Sequence, residues 1–230
     1  MRFILALAAL LALAPAAPAQ KAAAPRWAEV VAITPEGGYR QGNPNAPVKL
    51  IEYGSRTCPT CQRFAAEGVA PLTADYIATG KVSYEYRDYL VHGAPDLALA
   101  LLNQCVPTAR FFVVLDAIYA LPGLHDRIDK LAADSPKRVE QWQALPPDQA
   151  ATRFAEALGL LPFMQKHGLS EVQARKCLAD PARIARIART NADAVTVHKV
   201  NGTPSFFVNG RKLRAVSWLH LQPELWASGA

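Results

Sequence analysis

The sequence predicts an α/β core interrupted by an all-helical insertion. Three observations carry that expectation. Residues 47–90 read as strand, helix, strand; residues 91–196 hold helix signals and no convincing strand; residues 197–230 return to strand, hairpin turn, strand and helix. With 51% apolar and 19% charged residues among 230, the chain can bury a sizeable core and carries too little charge to be disordered. No repeat with a period of about 20 to 50 residues is present, which excludes solenoids and propellers.

The first segment sets the expected compartment. Arg2 is followed by an apolar run from Phe3 to Leu13, and Ala17-Pro18-Ala19 fits a small-x-small cleavage site before Gln20. Residues 1–19 read as a signal peptide, because the run is too short to cross a bilayer core about 30 Å thick. The chain is expected to be exported and soluble. Residues 20–46, rich in Ala, Pro and Gly, read as a mobile lead-in.

Pro47 and Gly54 bound a buried-strand candidate at 48–54. A helix follows from about 59 to 78, with Pro59 in its first turn, a kink at Pro71 and a stop at Gly80. Residues 81–89 alternate, with Val82, Tyr84 and Tyr86 on one side and Ser83, Glu85 and Arg87 on the other. A strand, a helix and a strand in that order predict a parallel pair with a right-handed crossover. The insertion should hold helices near 96–105, 108–120, 148–157, 159–167, 170–178 and 181–195. Ser170 with Gln173 forms a capping box, and Asp180-Pro181 an N-cap and first helical residue. Residues 204–208 are a strand, Asn209-Gly210 a tight turn into 211–216, and 217–227 a closing helix.

The net charge of +6 is dispersed. Arg183, Arg186 and Arg189 lie three apart, which suits a solvated helix face better than a nucleic-acid groove, so no nucleic-acid partner is expected. His92 and Asp88, after the second strand, could line the active-site face or be surface residues, and the surface reading is favoured.

The chemistry concentrates at Cys58-Pro59-Thr60-Cys61, where a strand passes into a helix. A helix N-terminus offers unpaired N–H groups and the positive end of the macrodipole. A thiolate there is stabilised, so Cys58 should be acidic, exposed and nucleophilic, and Cys61, one turn on, a more buried resolving thiol. A zinc site normally needs four ligands, and neither a second CxxC nor a nearby histidine is present, so no metal is expected. Glu52, six residues before Cys58 and between apolar neighbours, could accept the proton of Cys61, with its own pKa raised by desolvation. Thr203-Pro204 opens a strand. A cis bond there would present the Thr203 backbone to an extended peptide, and an ordinary trans proline at a strand edge fits equally well.

Pro47-Val48-Lys49-Leu50-Ile51-Glu52-Tyr53-Gly54, Cys58-Pro59-Thr60-Cys61, and Gly202-Thr203-Pro204 with Phe206-Phe207-Val208-Asn209-Gly210 together resemble the DsbA-like thiol–disulfide oxidoreductases of the thioredoxin superfamily. The resemblance covers most of the chain after residue 19. It implies a thioredoxin fold with an inserted helical subdomain, divided as core 47–90, insertion 91–196 and core 197–230. It also implies a nucleophilic Cys58, a resolving Cys61, an acidic Glu52 and a cis Pro204. Pro59, Thr60, Thr203 and Pro204 would face substrate. The implied activity is the introduction of disulfides into reduced exported polypeptides by a monomer without cofactor, reoxidised by a DsbB-like membrane protein. Thr60 departs from the best-known oxidase, which has histidine there, and Arg56 would compensate if it reached the sulfur. Thr203 also occurs in relatives that isomerise or reduce disulfides, so those activities stand as alternatives on the same fold. A metal-binding or partner-docking protein is the rival from another class. Cys105 and Cys177 would form the second, non-catalytic disulfide that some such proteins carry.

Overall fold

The computed structural model describes residues 26–230. The expected signal peptide, 1–19, lies outside the described residues, as do residues 20–25.

The central strand is β3 (Val48–Gly54). It pairs in parallel with β4 (Val82–Asp88) and antiparallel with β5 (Ser205–Val208). Between β3 and β4 runs α1 (Pro59–Pro71), which gives the strand–helix–strand unit its crossover. Pro71 has no N–H to continue the ladder. There the helix widens into a π-turn over Leu72–Ile77, in which the Ala78 N–H reaches back to the Thr73 carbonyl. The expected kink is therefore a change of helical pitch. Gly80 closes the element at φ +78°, and a Cβ there would sit 2.7 Å from Trp27 Nε1.

The expected lead-in needs correction. Within it, β1 (Val31–Ile33) and β2 (Tyr39–Gly42) form a hairpin that adds two strands to the sheet beside β4. Pro35 and Gly37-Gly38 supply the turn. The Thr34 side chain accepts the Gly38 N–H and donates to Glu85 Oε1 of β4 at 2.7 Å. With the short β6 (Arg211–Lys212) at the far edge, the strand order is β1-β2-β4-β3-β5-β6.

Alternation along β3 and β4 places Val48, Leu50, Glu52, Val82, Tyr84 and Tyr86 on one face, under α1, α3 (Phe111–Tyr119) and α10 (Trp218–Ala227). Tyr53 and Phe207 belong to the opposite face, which α9 (Pro181–Thr196) covers through Ala194. Both faces of β4 are thus buried. Its polar residues find partners there: Arg87 Nε donates to Glu85 at 2.7 Å and Nη1 to the Tyr53 hydroxyl at 3.0 Å.

The insertion builds a core of its own. It contains α2 (Ala94–Asn103), α4 (Leu124–Asp134), α5 (Pro136–Gln143), α6 (Pro147–Ala157), α7 (Leu160–Lys166) and α8 (Glu171–Leu178) besides α3 and α9. The sequence reading assigns no helix at 121–147, where α4 and α5 lie. Leu124, Ile128 and Leu131 carry the helical spacing among charged residues, and they contribute to the insertion's core. Cys105, just past α2, is disulfide-bonded to Cys177 in α8, with Cα atoms 6.1 Å apart and a sequence separation of 72. For a loop of that length the chain-entropy model allows up to about 4 kcal/mol of stabilisation.

The arginines of α9 depart from a solvated face. Arg183 donates to the Gln104 carbonyl, and Arg186 Nη2 to Gln104 Oε1 at 2.6 Å, so two of the three clamp the end of α2. Of the three, only Arg189 is exposed.

Candidate active site at the β3–α1 junction

The site forms where β3 ends. Gly54 admits no side chain, since a Cβ would lie 2.4 Å from the Tyr86 ring. The chain then turns through Ser55-Arg56-Thr57 and enters α1, with Cys58 at the N-cap in extended conformation and Pro59 at the first helical position.

Both Cys58 and Cys61 are thiols in this structure. Cys58 was expected to be exposed, yet only 8% of it is accessible, and Cys61 is fully buried. The cover over Cys58 is the loop before β5. There the Thr203-Pro204 bond is cis, and Cys58 Sγ lies 3.3 Å from the Thr203 carbonyl oxygen. Residues 145 apart in sequence thereby meet at one sulfur.

The two thiols differ in acidity. The hydrogen bond from Cys61 pulls Cys58 down to about 5 against the opposing effect of burial. The Thr203 hydroxyl and the backbone N–H groups of Thr60 and Cys61 help. That hydroxyl is buried without another partner among the described residues, so it is free to donate to the thiolate. Burial pushes Cys61 the other way, and the bond to Cys58 and the nearby Glu52 carboxyl add to the rise. At neutral pH one sulfur is a thiolate and the other a thiol.

Glu52 lies beneath the pair with 1% exposure. Burial pushes its carboxyl up to about 8, while the Tyr84 hydroxyl, donating to Oε2 at 2.5 Å, pulls it back. Its other oxygen, Oε1, has no partner among the described residues. Glu52 is therefore neutral below about pH 8 and can exchange a proton with its surroundings near neutrality.

Arg56 does not serve the sulfur. Its guanidinium is buried, pairs with Asp88, and donates through Nε and Nη2 to Asn103 Oδ1 at 3.1 and 2.9 Å. It also lies over the Tyr86 and Phe111 rings, 5.1 and 5.7 Å from their centroids. Burial disfavours its charge, and Asp88 outweighs that, holding its pKa above the ordinary arginine value. Asp88 is accordingly not the surface residue the sequence suggests. It is 4% exposed and also accepts from Gln104 Nε2 at 2.6 Å.

Sequence reasoning missed Asp96. This buried carboxylate in the first turn of α2 accepts from Ser55 Oγ (2.8 Å), Thr57 N–H (3.1 Å), Thr57 Oγ1 (2.9 Å) and the His92 N–H (2.8 Å). Burial pushes its pKa up and these four donors pull it back. It ties the loop before Cys58 to the insertion. The available signal was an acidic residue opening an otherwise apolar helix, where the macrodipole favours it.

An acidic thiol at a helix N-terminus, a buried thiol one turn on, a carboxyl below and a Thr-Pro loop above, all carried on a sheet with a helical insertion, define a thioredoxin-fold dithiol protein. The thioredoxin family model matches residues 34–223, and the chain belongs to that family. A Rickettsia bellii protein, assigned by inference as a protein-disulfide oxidoreductase, is 28% identical over 170 residues, covering 74% of this chain and 56% of the relative. The chain thus spans little more than half the length of that relative. Among solved structures, the protein-disulfide isomerase from Novosphingobium aromaticivorans is 28% identical with a TM-score of 0.76, over 83% of this chain and 97% of that one. The α-DsbA1 of Wolbachia pipientis, at 20% identity and TM-score 0.62 over 83% and 89% of the two chains, shares the fold. The fold is the thioredoxin fold with an inserted helical subdomain, as the sequence predicts.

Proposed function

We propose that the protein is a thiol–disulfide oxidoreductase that introduces disulfides into exported polypeptides in the periplasm. A substrate thiolate attacks Cys58 of the oxidised pair and forms a mixed disulfide, a second substrate thiolate resolves it, and the protein is left as the dithiol. Pro59, Thr60, Thr203 and Pro204 face the substrate. A DsbB-like membrane protein regenerates the disulfide, and the chain acts as a monomer. The observation that carries this reading is the placement of the two thiols: Cys58 at the N-cap of α1 against the Thr203 carbonyl, and Cys61 fully buried one turn on. A stabilised Cys58 thiolate favours the reduced pair and so makes its disulfide oxidising.

The direct test mixes the oxidised protein with a reduced, unfolded polypeptide. Each disulfide gained by the polypeptide should appear with one Cys58–Cys61 pair reduced. No transfer would contradict the proposal, and rescue of a scrambled substrate without net oxidation would favour an isomerase instead.

Glu52 is the proton carrier for Cys61 on this reading, and its burial has a stability consequence. In the folded chain it keeps its proton up to about pH 8, whereas its ordinary value is 4.5. Between those values the folded state binds more protons than the unfolded state, so stability falls as pH rises through that window. Glu52→Gln removes this dependence. Its melting temperature relative to the natural chain should climb between about pH 5 and pH 8 and level off above. A constant difference across the window would contradict a buried, neutral Glu52.

A further inference from the structure

A substrate thiol must lose its proton before it can attack a disulfide, because the thiolate is the nucleophile. With a pKa near 8.5, an ordinary cysteine is only about 3% ionised at pH 7. Thr60, between the two cysteines, offers no base. The fold brings an imidazole against Thr57, the residue before Cys58, from another part of the chain.

His92 lies in the turn between β4 and α2, with Nδ1 2.6 Å from Thr57 Oγ1. The direction of that bond follows from its neighbours. The Thr57 hydroxyl has one hydrogen and gives it to Asp96 Oδ2. Asp96 takes four donors and acts only as an acceptor. Nδ1 therefore carries the hydrogen and donates to Thr57. In the neutral ring the basic nitrogen is then Nε2, for which the described residues supply no hydrogen-bond partner. His92 is exposed, and it lines a cavity of about 700 Å3 together with Thr57 and Pro59, the residues on either side of Cys58 in sequence. Apolar Val91, Ile128 and Leu131 wall that cavity, and His125 and Asp129 are the other titratable groups lining it.

We propose that His92 is the general base that takes the proton of the incoming substrate thiol, held in one tautomer and orientation by Thr57 and Asp96. The proposal rests on the reading of Cys58 and Cys61 as an exchanging pair. The thiol proton passes to His92 Nε2. The substrate sulfur then bonds to Cys58 Sγ as the Cys58–Cys61 bond breaks, and the electron pair leaves on Cys61 Sγ, which takes a proton from Glu52. His92 returns its proton to solvent, and Glu52 regains one from solvent. After the second substrate thiol has attacked, two electrons have moved from substrate to protein.

The test compares two thiols on the oxidised protein and on His92→Gln: a cysteine peptide, and thionitrobenzoate, an aryl thiol already ionised at neutral pH. The ratio of the peptide rate to the aryl-thiol rate should fall about tenfold in the variant at pH 7, within the roughly thirtyfold ceiling set by the ionised fraction. Toward pH 9, where the peptide thiol ionises unaided, the ratios of variant and natural protein should converge. An unchanged ratio, whether both rates fall or neither does, would overturn the role of His92, as would a gap that persists at high pH. A natural protein that exchanges with neither thiol overturns the oxidoreductase reading itself, and this role with it.

Discussion

Replacing Cys58 with serine should abolish disulfide exchange, and replacing Cys61 with serine should leave the protein trapped in mixed disulfides with a disulfide-bearing polypeptide. The two outcomes differ because the two sulfurs occupy different environments. Cys58 is the acidic thiol, held near 5 and reached through the Thr203 loop. A serine hydroxyl there is neither ionised at neutral pH nor able to form a disulfide, so no residual pathway remains. Cys61 is fully buried and hard to ionise. Its loss leaves Cys58 able to bond a substrate sulfur and removes the intramolecular thiol that would release it. Non-reducing gels of the two variants, incubated with a disulfide-bearing polypeptide whose bond the Cys58 thiolate can attack with release of one polypeptide thiol, distinguish the roles. Adducts should accumulate with Cys61→Ser and be absent with Cys58→Ser. Turnover retained by Cys58→Ser would contradict the mechanism.

Asp88→Ala should destabilise the folded chain by about 3–5 kcal/mol, the typical cost of leaving a buried charge without its partner. Arg56 is 2% exposed, and after that change its guanidinium would keep only Asn103 and the Tyr86 and Phe111 rings. Gln104 would also lose its acceptor on Asp88. Because the loss comes from an uncompensated charge, replacing both partners with apolar residues, as in Arg56→Met with Asp88→Leu, should recover most of it. Denaturant unfolding of the reduced proteins measures both. A double variant as unstable as Asp88→Ala would show that the pair contributes through more than mutual neutralisation.

Much of the site was legible because its parts are local. Cys58, Pro59 and Cys61 announce a strand-to-helix junction, and alternation along 48–54 puts Glu52 on the same face as Leu50. The cis Thr203-Pro204 bond was readable as a candidate only, since its isomer depends on packing that no local pattern specifies. What escaped was set by tertiary contact. The edge hairpin at 31–42 is short and reads as loop until Thr34 meets Glu85. Arg56, Asp88, Arg183 and Arg186 carry charges that composition assigns to the surface, and each is drawn inward by partners remote in sequence. Exposure of Cys58 was overestimated for the same reason, because the segment that covers it comes from the other end of the core. His92 and Asp96 gain their meaning from Thr57, which no spacing rule connects to them.

The most direct measurement is a titration of the protein against glutathione buffers, with thiol trapping resolved cysteine by cysteine. If the acidic Cys58 thiolate makes the pair an oxidant, Cys58 and Cys61 should be reduced together at a potential above roughly −200 mV. A pair that resists reduction to below about −300 mV, as structural disulfides do, would contradict the account.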